Sequence, residues 1–247
     1  MRYILFLIFF LSFNTYAQNR VDKQGLKQGK WIKYYSNTKN TIYEGEFKDD
    51  KPVGLFTYYS QDGKISARMM HLSDRSTRVE FCHKNGNVLS DGFYYNQLKD
   101  STWYNYAQSG EISSIESFKQ DKLHGPSIFY YFENNNAQNP AIMRKSFYLE
   151  GQIHGVYQEF FKSGKLKLEG EYVHGIPIGT WKEYSNLGQL SKSYKFKMGK
   201  IHGWVKHFNN NGSVYSESFF KEGEPLVGRK LDLYLEECAA KNMNPED

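Results

Sequence analysis

A motif of about 24 residues, repeated in series, is the feature that most restricts what this chain can fold into. Most copies begin with a glycine, and in several of them an aromatic ring follows two residues later, as at Gly54 and Phe56. All steps lie within one residue of 24 except the 30 residues after Gly125, where an Asn-rich stretch at 134–140 indicates a lengthened loop. Such self-similarity predicts an array of stacked units. The units begin at Gly29, Gly54, Thr77, Ser101, Gly125, Gly155, Gly179, Gly203 and Gly228.

Every unit carries the signals of two short strands and two turns. The first turn contains pairs such as Asn85-Gly86, in which glycine adopts positive φ without steric cost. Two strands of about 5 or 6 residues with their turns account for the period. The first strand has a sixth-place column of Tyr34, Tyr59, Cys82, Tyr106, Tyr130, Phe160, Tyr184 and Phe208. The second strand ends at Phe47, Tyr94, Phe118, Phe147, Tyr172, Phe196 and either Phe219 or Phe220.

The predicted fold is all-β: an elongated, single-layer antiparallel meander of about eight β-hairpins. Tyr, Phe and Trp contribute 20, 18 and 4 residues, so most of the bulk available for burial is aromatic. This disfavours an aliphatic helical bundle or an α/β fold. The third and sixth places of a regular strand point to opposite faces. Either both faces carry aromatic side chains, or a bulge brings the two columns to one side.

The segment Tyr43-Glu44-Gly45-Glu46-Phe47, with the following unit start at Gly54, resembles a MORN repeat. A second good copy runs from Glu169 to Trp181, and the looser units are similar to the bacterial variant found in YwqK-type proteins. That family is classed among the antitoxins of toxin–antitoxin systems. The resemblance covers about residues 29–228 and implies a hairpin array that serves as a scaffold or a binding surface. Unit three departs from the pattern, because Val79 and Cys82 occupy both aromatic places.

The amino terminus has the three-part plan of a secretory signal peptide. Arg2 gives a positive start, residues 3–13 are almost entirely apolar, and small residues precede a cleavage site between Ala17 and Gln18. The alternative is a membrane anchor, which requires about 20 apolar residues. We therefore expect an exported protein that is periplasmic, associated with the cell envelope or extracellular.

A helix is predicted at the other end of the chain. Leu231, Tyr234, Leu235 and Cys238 recur at helical spacing, and Pro245 follows. This helix either caps the last hairpin or docks to a partner. The expected layout is a signal peptide at 1–17, a lead-in at 18–28, the MORN-like array at 29–228, and a capping helix with its tail at 229–247.

No residue cluster in the sequence predicts catalysis or metal binding. Nucleophile-elbow, zinc-protease, phosphate-loop and dinucleotide-binding motifs are all missing from the sequence. His124, His154 and His202 occupy the same place in their units, which separates equivalent side chains by about 9.6 Å, too far for one metal ion. Cys82 and Cys238 lie about six repeats apart, too far for a disulfide bond. We expect neither an enzyme nor a cofactor.

The remaining prediction is a non-catalytic, secreted repeat protein whose surface binds another macromolecule, most simply a protein. The antitoxin resemblance suggests a toxin-like partner and an immunity-like role. The alternative is a carbohydrate- or membrane-surface-binding module that uses an aromatic track. Because the 32 basic and 27 acidic residues nearly balance, no nucleic-acid surface is expected. The oligomeric state stays open. The candidate binding residues are Trp31, Phe56, Trp103, Tyr157 and Trp181.

Overall fold

The computed structural model describes residues 18–72, 75–131 and 140–246, which form one antiparallel sheet and one helix. Strands follow chain order, so each hairpin pairs with the next, and the predicted all-β meander with a carboxy-terminal helix is confirmed. The predicted signal peptide at 1–17 lies outside the described residues. The elements are β1 (Arg20–Val21), β2 (Lys27–Tyr34), β3 (Thr41–Lys48), β4 (Lys51–Tyr59), β5 (Ile65–His71), β6 (Ser76–Cys82), β7 (Val88–Tyr95), β8 (Leu98–Tyr106), β9 (Ile112–Lys119), β10 (Lys122–Tyr130), β11 (Ile142–Leu149), β12 (Gln152–Ile153), β13 (Gly155–Phe160), β14 (Leu166–Val173), β15 (Ile176–Tyr184), β16 (Leu190–Lys197), β17 (Lys200–Ile201), β18 (Gly203–Phe208), β19 (Val214–Lys221), β20 (Glu224–Leu226) and α1 (Arg229–Ala240).

Most units begin with a β-bulge. Glu46 pairs with Val53 and Glu44 pairs with Thr57, so Gly45 alone faces residues 54–56. The bulge places the first residue of the unit at positive φ, which favours glycine there. Unit three has no bulge: its ladder runs without interruption from Ala67–Phe81 to His71–Thr77.

The two aromatic columns lie on opposite faces of the sheet. The bulge adds two residues to one strand, so the alternation of side chains continues through it. We call the face with the third-place residues the ring face, where the Phe56 and Tyr43 ring centroids are 5.8 Å apart. We call the other the open face, where Tyr59 Oη donates to Glu44. Of the two alternatives left by the sequence, the first is correct.

The strand register corrects one residue of the predicted aromatic column and decides between two candidates for another. Gly125 pairs with Tyr148, so Tyr148 ends the ring-face column of unit five, and Phe147 points to the open face. Gly203 pairs with Phe220, so Phe220 is the column residue of the last hairpin. A slip of one residue reverses the face on which a strand side chain lies.

The ring face packs by fitting large third-place rings onto glycines of the preceding strand. Phe56, Trp103 and Trp181 are 2%, 1% and 4% exposed. A Cβ atom added at Gly45, Gly92 or Gly170 would lie 2.5, 2.4 or 2.2 Å from these rings. Where the preceding strand has a larger residue, the residue at the third place is small. Val79 lies opposite Met69, and Ser127 lies opposite Glu116. Each pair fills about the same space, as close packing requires.

Helix α1 covers the open face of the last hairpin. The Tyr234 ring lies 5.6 Å from that of Phe219, which is buried. Cys238 is buried beside it, and Tyr234 Oη donates to the Pro245 carbonyl at 3.2 Å. The helix thus covers the apolar part of the open face in the last repeat.

Candidate functional site

The five predicted track residues all lie on the ring face and form separate clusters. The Tyr157 and Trp181 centroids are 5.8 Å apart, and Trp31 reaches Phe56 only through Phe47, at 5.9 and 5.2 Å. Trp103 belongs to another cluster, with Phe81, Tyr94 and Phe118. Phe56, Trp103 and Trp181 are buried by the protein's own side chains, whereas Trp31 and Tyr157 are half-buried. A ligand on this face would reach mainly ring edges.

Tyrosine–carboxylate hydrogen bonds recur along the sheet. Tyr157 Oη donates to Glu159 and Tyr184 Oη donates to Glu169, each at 2.7 Å. Burial, together with the neighbouring carboxylate, raises the pKa of Tyr157 and of Tyr184 to about 12. These hydroxyls therefore stay protonated at neutral pH and act as hydrogen-bond donors, Tyr157 within β13 and Tyr184 from β15 to β14.

An apolar patch lies on the open face of units two to four. Residues directly opposite on neighbouring strands share a face, and pairing links Leu55 to Met70, Met70 to Arg78, and Arg78 to Phe93. Leu55, Met70 and Phe93 are 50%, 39% and 39% exposed. We define the apolar patch as Leu55, Met70, Leu72, Phe93, Tyr95, Leu98 and Tyr104, all of which are exposed.

One arginine lies within this patch, and further charged side chains border it. Arg78 lies between Met70 and Phe93. Arg68 forms an ion pair with Glu80 and contacts Cys82 Sγ at 3.8 Å. Leu55, Met70 and these charged side chains line a depression of about 140 Å³. Apolar side chains around an arginine, with further charged groups at the border, are an arrangement found in protein–protein interfaces.

A tyrosine–carboxylate hydrogen bond and a buried thiol lie beside the patch. The Asp91 carboxylate accepts a hydrogen bond from Tyr106, and burial together with this bond raises the pKa of Tyr106 to about 12. Burial also raises the pKa of the Cys82 thiol, so the neutral thiol predominates at neutral pH. Cys82 is therefore a packing residue beside the patch with little nucleophilic character.

Sequence reasoning based on the aromatic columns missed the patch. The informative positions are the second place of each unit and the residue paired with it across the hairpin. Unit one has Lys30 and Glu46 there, whereas unit two has Leu55 and Met70. Replacement of a charged pair by an apolar pair at equivalent positions was the available signal.

A second concave region lies near the start of the array. It has a volume of about 480 Å³ and is lined by Lys30, Glu44, Glu46, Trp31 and residues of the following bulge. Its lysine and glutamates face one another across the hairpin, since Lys30 pairs with Glu46. The groove is open, and its one lysine and two glutamates give it a net formal charge of −1, which disfavours an anionic ligand.

The histidines and cysteines form no composite site in the part of the chain that the structure describes. There, no group of three or more His, Cys, Asp or Glu side chains is arranged to hold a metal ion. The His154 and His174 rings lie 5.1 Å apart, and the His174 backbone N–H donates to His154 Nδ1. Cys82 and Cys238 are both free thiols. Within the same described ranges, no helix has the length and hydrophobicity needed to cross a membrane.

The chain was compared with known families, proteins and structures. Residues 153–174 match the MORN repeat variant family, which is consistent with a MORN-repeat protein. No curated protein is significantly similar in sequence. Among solved structures, a chain of the "Crystal Structure of TcdB2-TccC3-Cdc42" matches at 11% identity with a TM-score of 0.20, over 81% of this chain and 13% of that one. So low a score carries no argument about fold or function. The matched family segment includes Tyr157 and Gly170, which both contact Trp181 on the ring face.

Proposed function

We propose that this chain is a non-catalytic, exported repeat protein whose apolar patch binds another protein. The observation that carries the proposal is the clustering of exposed Leu55, Met70 and Phe93 around Arg78 on a single-layer sheet. Contiguous exposed apolar surface on a soluble protein marks an interaction site. The MORN repeat match supports a repeat protein with a binding role.

The chain itself provides an example of how its open face is covered. Phe219 lies on the same face, and α1 buries it under Tyr234 and Cys238. The apolar patch presents similar side chains, but among the described residues no segment packs over it. A protein surface with a few apolar side chains and a polar rim is the fitting occupant, and Arg78 supplies a central charged contact.

The proposed class of partner is a toxin-like protein outside the cytoplasm, which makes the role immunity-like. Support for this step comes from the resemblance of the repeats to the antitoxin group and from the signal-peptide pattern of residues 1–17. The alternative ligand, a glycan or a lipid surface, has less support because three of the five track rings are buried.

The test is affinity capture from a native envelope extract, followed by mass spectrometry. Three proteins are compared: the wild type, a variant with Met70→Ser and Phe93→Ser, and a control with Phe147→Ser and Val156→Ser. The control residues are also exposed on the open face but lie several units away. We expect one protein to be enriched by the wild type and the control and lost with the patch variant. Equal capture by all three would reject the patch as the binding site.

The non-catalytic part of the proposal needs a separate measurement. The purified protein is incubated with generic ester, peptide and phosphate substrates, and product is quantified over many hours. Turnover that co-purifies with the wild type and survives both double substitutions would overturn the assignment as a pure binding protein.

A further inference from the structure

The last unit of the array shows how this protein covers an apolar row on its open face. Trp204 and Phe219 form the second-place pair of that unit, with ring centroids 5.2 Å apart, and Phe219 pairs in turn with Leu226 of β20. Phe219 is 1% exposed, because Tyr234 of α1 packs on it. In the chain itself, therefore, a helix shields this row from solvent.

Helix α1 and its tail run across the strands. Tyr234 packs on β19, and Cys238 lines a small cavity together with Lys197 of β16. Further along the tail, the Glu246 carbonyl accepts a hydrogen bond from Lys195 Nζ, also of β16, at 3.0 Å. The order of these contacts takes the segment from β19 across β18 to β16.

The apolar patch contains the equivalent row without a cover. Leu55 and Met70 are the second-place pair of unit two, and Met70 pairs in turn with Arg78 of β6, just as the last hairpin pairs with β20. Because unit three has no bulge, the row continues in register to Phe93 of β7. Four strands at a spacing of about 4.8 Å give a row about 14 Å long, which corresponds to about ten residues of helix. Helix α1 has 12 residues.

The backbone and the shape of this face favour a helix over an extended segment. Strands β4 to β7 are each paired on both sides, so they direct their backbone N–H and C=O groups at one another and not out of the face. A segment that lies on the face must satisfy its own backbone groups, as a helix does. Leu55 also lies between two depressions, of about 480 and 140 Å³, and such a concave surface fits a convex helix.

The charges along the row indicate which kind of helix fits. Arg78 is exposed and forms no ion pair within residues 18–72, 75–131 and 140–246, whereas Glu80 beside it is paired with Arg68. A carboxylate is the strongest partner for a guanidinium group. Asp100 lies opposite Phe93 at the far end of the row, and its negative charge favours the positive N-terminus of a helix there. Helix α1 runs in the same direction, from later strands to earlier ones.

We infer that the apolar patch takes an amphipathic helix of its partner, which crosses β7 to β4 as α1 crosses β19 to β16 and sets a carboxylate against Arg78. The inference rests on the proposed function, in that the patch binds a protein. Two apolar side chains one turn apart contact Met70 and Leu55, because one turn of helix and one strand spacing have nearly the same length. The acidic residue lies in the first turn.

The probe is a fluorescein-labelled peptide of residues 228–246 of this chain, with Leu231→Glu and Cys238→Ala. Tyr234 is expected to take on Met70 the position that it has on β19. Residue 231 lies about one turn earlier, towards the strand that follows, so a glutamate there meets Arg78. The second substitution prevents disulfide formation with a protein thiol.

Binding is measured by fluorescence anisotropy with the full chain, purified after expression with its own amino-terminal segment. Wild type is compared with the Met70→Ser, Phe93→Ser variant and with the Phe147→Ser, Val156→Ser control. We expect wild type and the control to bind the peptide alike, and the patch variant to bind it at least about tenfold more weakly. All three proteins should have the same circular dichroism spectrum, because the substituted side chains are exposed.

A charge exchange tests the contact with Arg78 directly. Arg78→Glu should weaken binding of the Leu231→Glu peptide about tenfold. A second peptide, with Leu231→Lys in its place, should bind the Arg78→Glu protein more tightly than it binds wild type. Because Arg78 is exposed, its substitution should leave the circular dichroism spectrum unchanged.

Three results would overturn the inference: no saturable binding to wild type up to about 1 mM peptide, equal affinity for the patch variant, or no effect of the charge exchange. Equal affinity would mean that the peptide displaces α1 from the last unit instead. The envelope capture is independent of this probe. If capture depends on the patch but the peptide does not bind, the helix is rejected and the proposed function stands. If the peptide binds but no envelope protein is captured, the proposed function is rejected.

Discussion

Replacement of Gly170 by alanine tests the packing rule on which the ring face depends. The added Cβ would lie 2.2 Å from both Cδ2 and Cε2 of Trp181. Carbon atoms in contact are normally at least about 3.5 Å apart, so the indole must move by about 1.3 Å. Trp181 is held between Tyr172 and Phe196, at 5.1 and 5.6 Å, and cannot move without displacing them.

The expected loss of stability is about 1–3 kcal/mol, the usual cost of overpacking a core. Alanine also restricts the unfolded chain, which offsets about 0.4–1 kcal/mol of that loss. We therefore expect a net destabilisation of about 1–2 kcal/mol. Glu171→Ala is the matched control, because the neighbouring side chain is exposed on the open face and should change stability by less than about 0.5 kcal/mol.

The decisive assay is a double-mutant cycle by urea unfolding, followed by circular dichroism. Trp181→Val alone should cost about 3 kcal/mol, because it leaves a cavity above Gly170. Combined with Gly170→Ala, it should be less destabilising than the sum of the two by about 0.5–3 kcal/mol. Unit three already combines a valine at the third place with a larger residue opposite it, since Val79 lies opposite Met69. Strict additivity, or a Gly170→Ala protein as stable as the Glu171→Ala control, would refute the packing rule.

Three further predictions follow from hydrogen bonds and burial. Asn19→Ala should free the Ile32 N–H and C=O and raise the hydrogen-exchange rate of the Ile32 amide at least several-fold, measured by NMR, with exchange in β15 unchanged as the control. The pKa of Tyr106, Tyr157 and Tyr184 is raised to about 12, so these residues should ionise later than exposed tyrosines in an absorbance titration at 295 nm. Since the unfolded pKa is about 10, their contribution to stability is present below pH 10 and is lost between pH 10 and 12, and Tyr184→Phe should reduce that loss. Burial beneath α1 and nearby Lys197 lower the pKa of His202 below 6.5, so its contribution is present above pH 6.5 and is lost as the pH falls. Chemical unfolding at pH 8 and pH 5 should show this loss in wild type and a smaller loss in His202→Gln, and identical pH dependence would contradict the assignment.

The fold could be predicted because every unit repeats the same local signals. Turn glycines such as Gly63, with φ of 81°, fix where each hairpin reverses, and eight copies average out local ambiguity. The sequence left open how the columns divide between faces, because the answer depends on a bulge that adds two residues. It also misplaced Phe147 by one position, since Phe147 and Tyr148 are both aromatic and only the pairing with Gly125 distinguishes them.

The candidate site was harder to predict, for a physical reason. The five track residues were chosen because they are large and recurrent, but recurrence in this array indicates packing. Trp103, for example, recurs because it fills the space above Gly92. The helix α1 was identified by its periodicity, but its position on the open face depends on Phe219 contacting Tyr234, a contact that periodicity does not specify.

The two faces of the sheet differ in how closely their residues must fit one another, and this difference determines where binding specificity can vary in such an array. On the ring face, each third-place residue must match the residue beneath it in volume, so a change at Trp181 demands a change at Gly170. On the open face, opposite residues make few such demands: Lys30 with Glu46 and Leu55 with Met70 occupy equivalent positions in the same backbone. Substitutions on the open face therefore alter recognition at little cost in stability, whereas those on the ring face alter stability first. A binding site in this fold is best sought where the open face departs from its neighbours, which in this chain is the surface around Arg78.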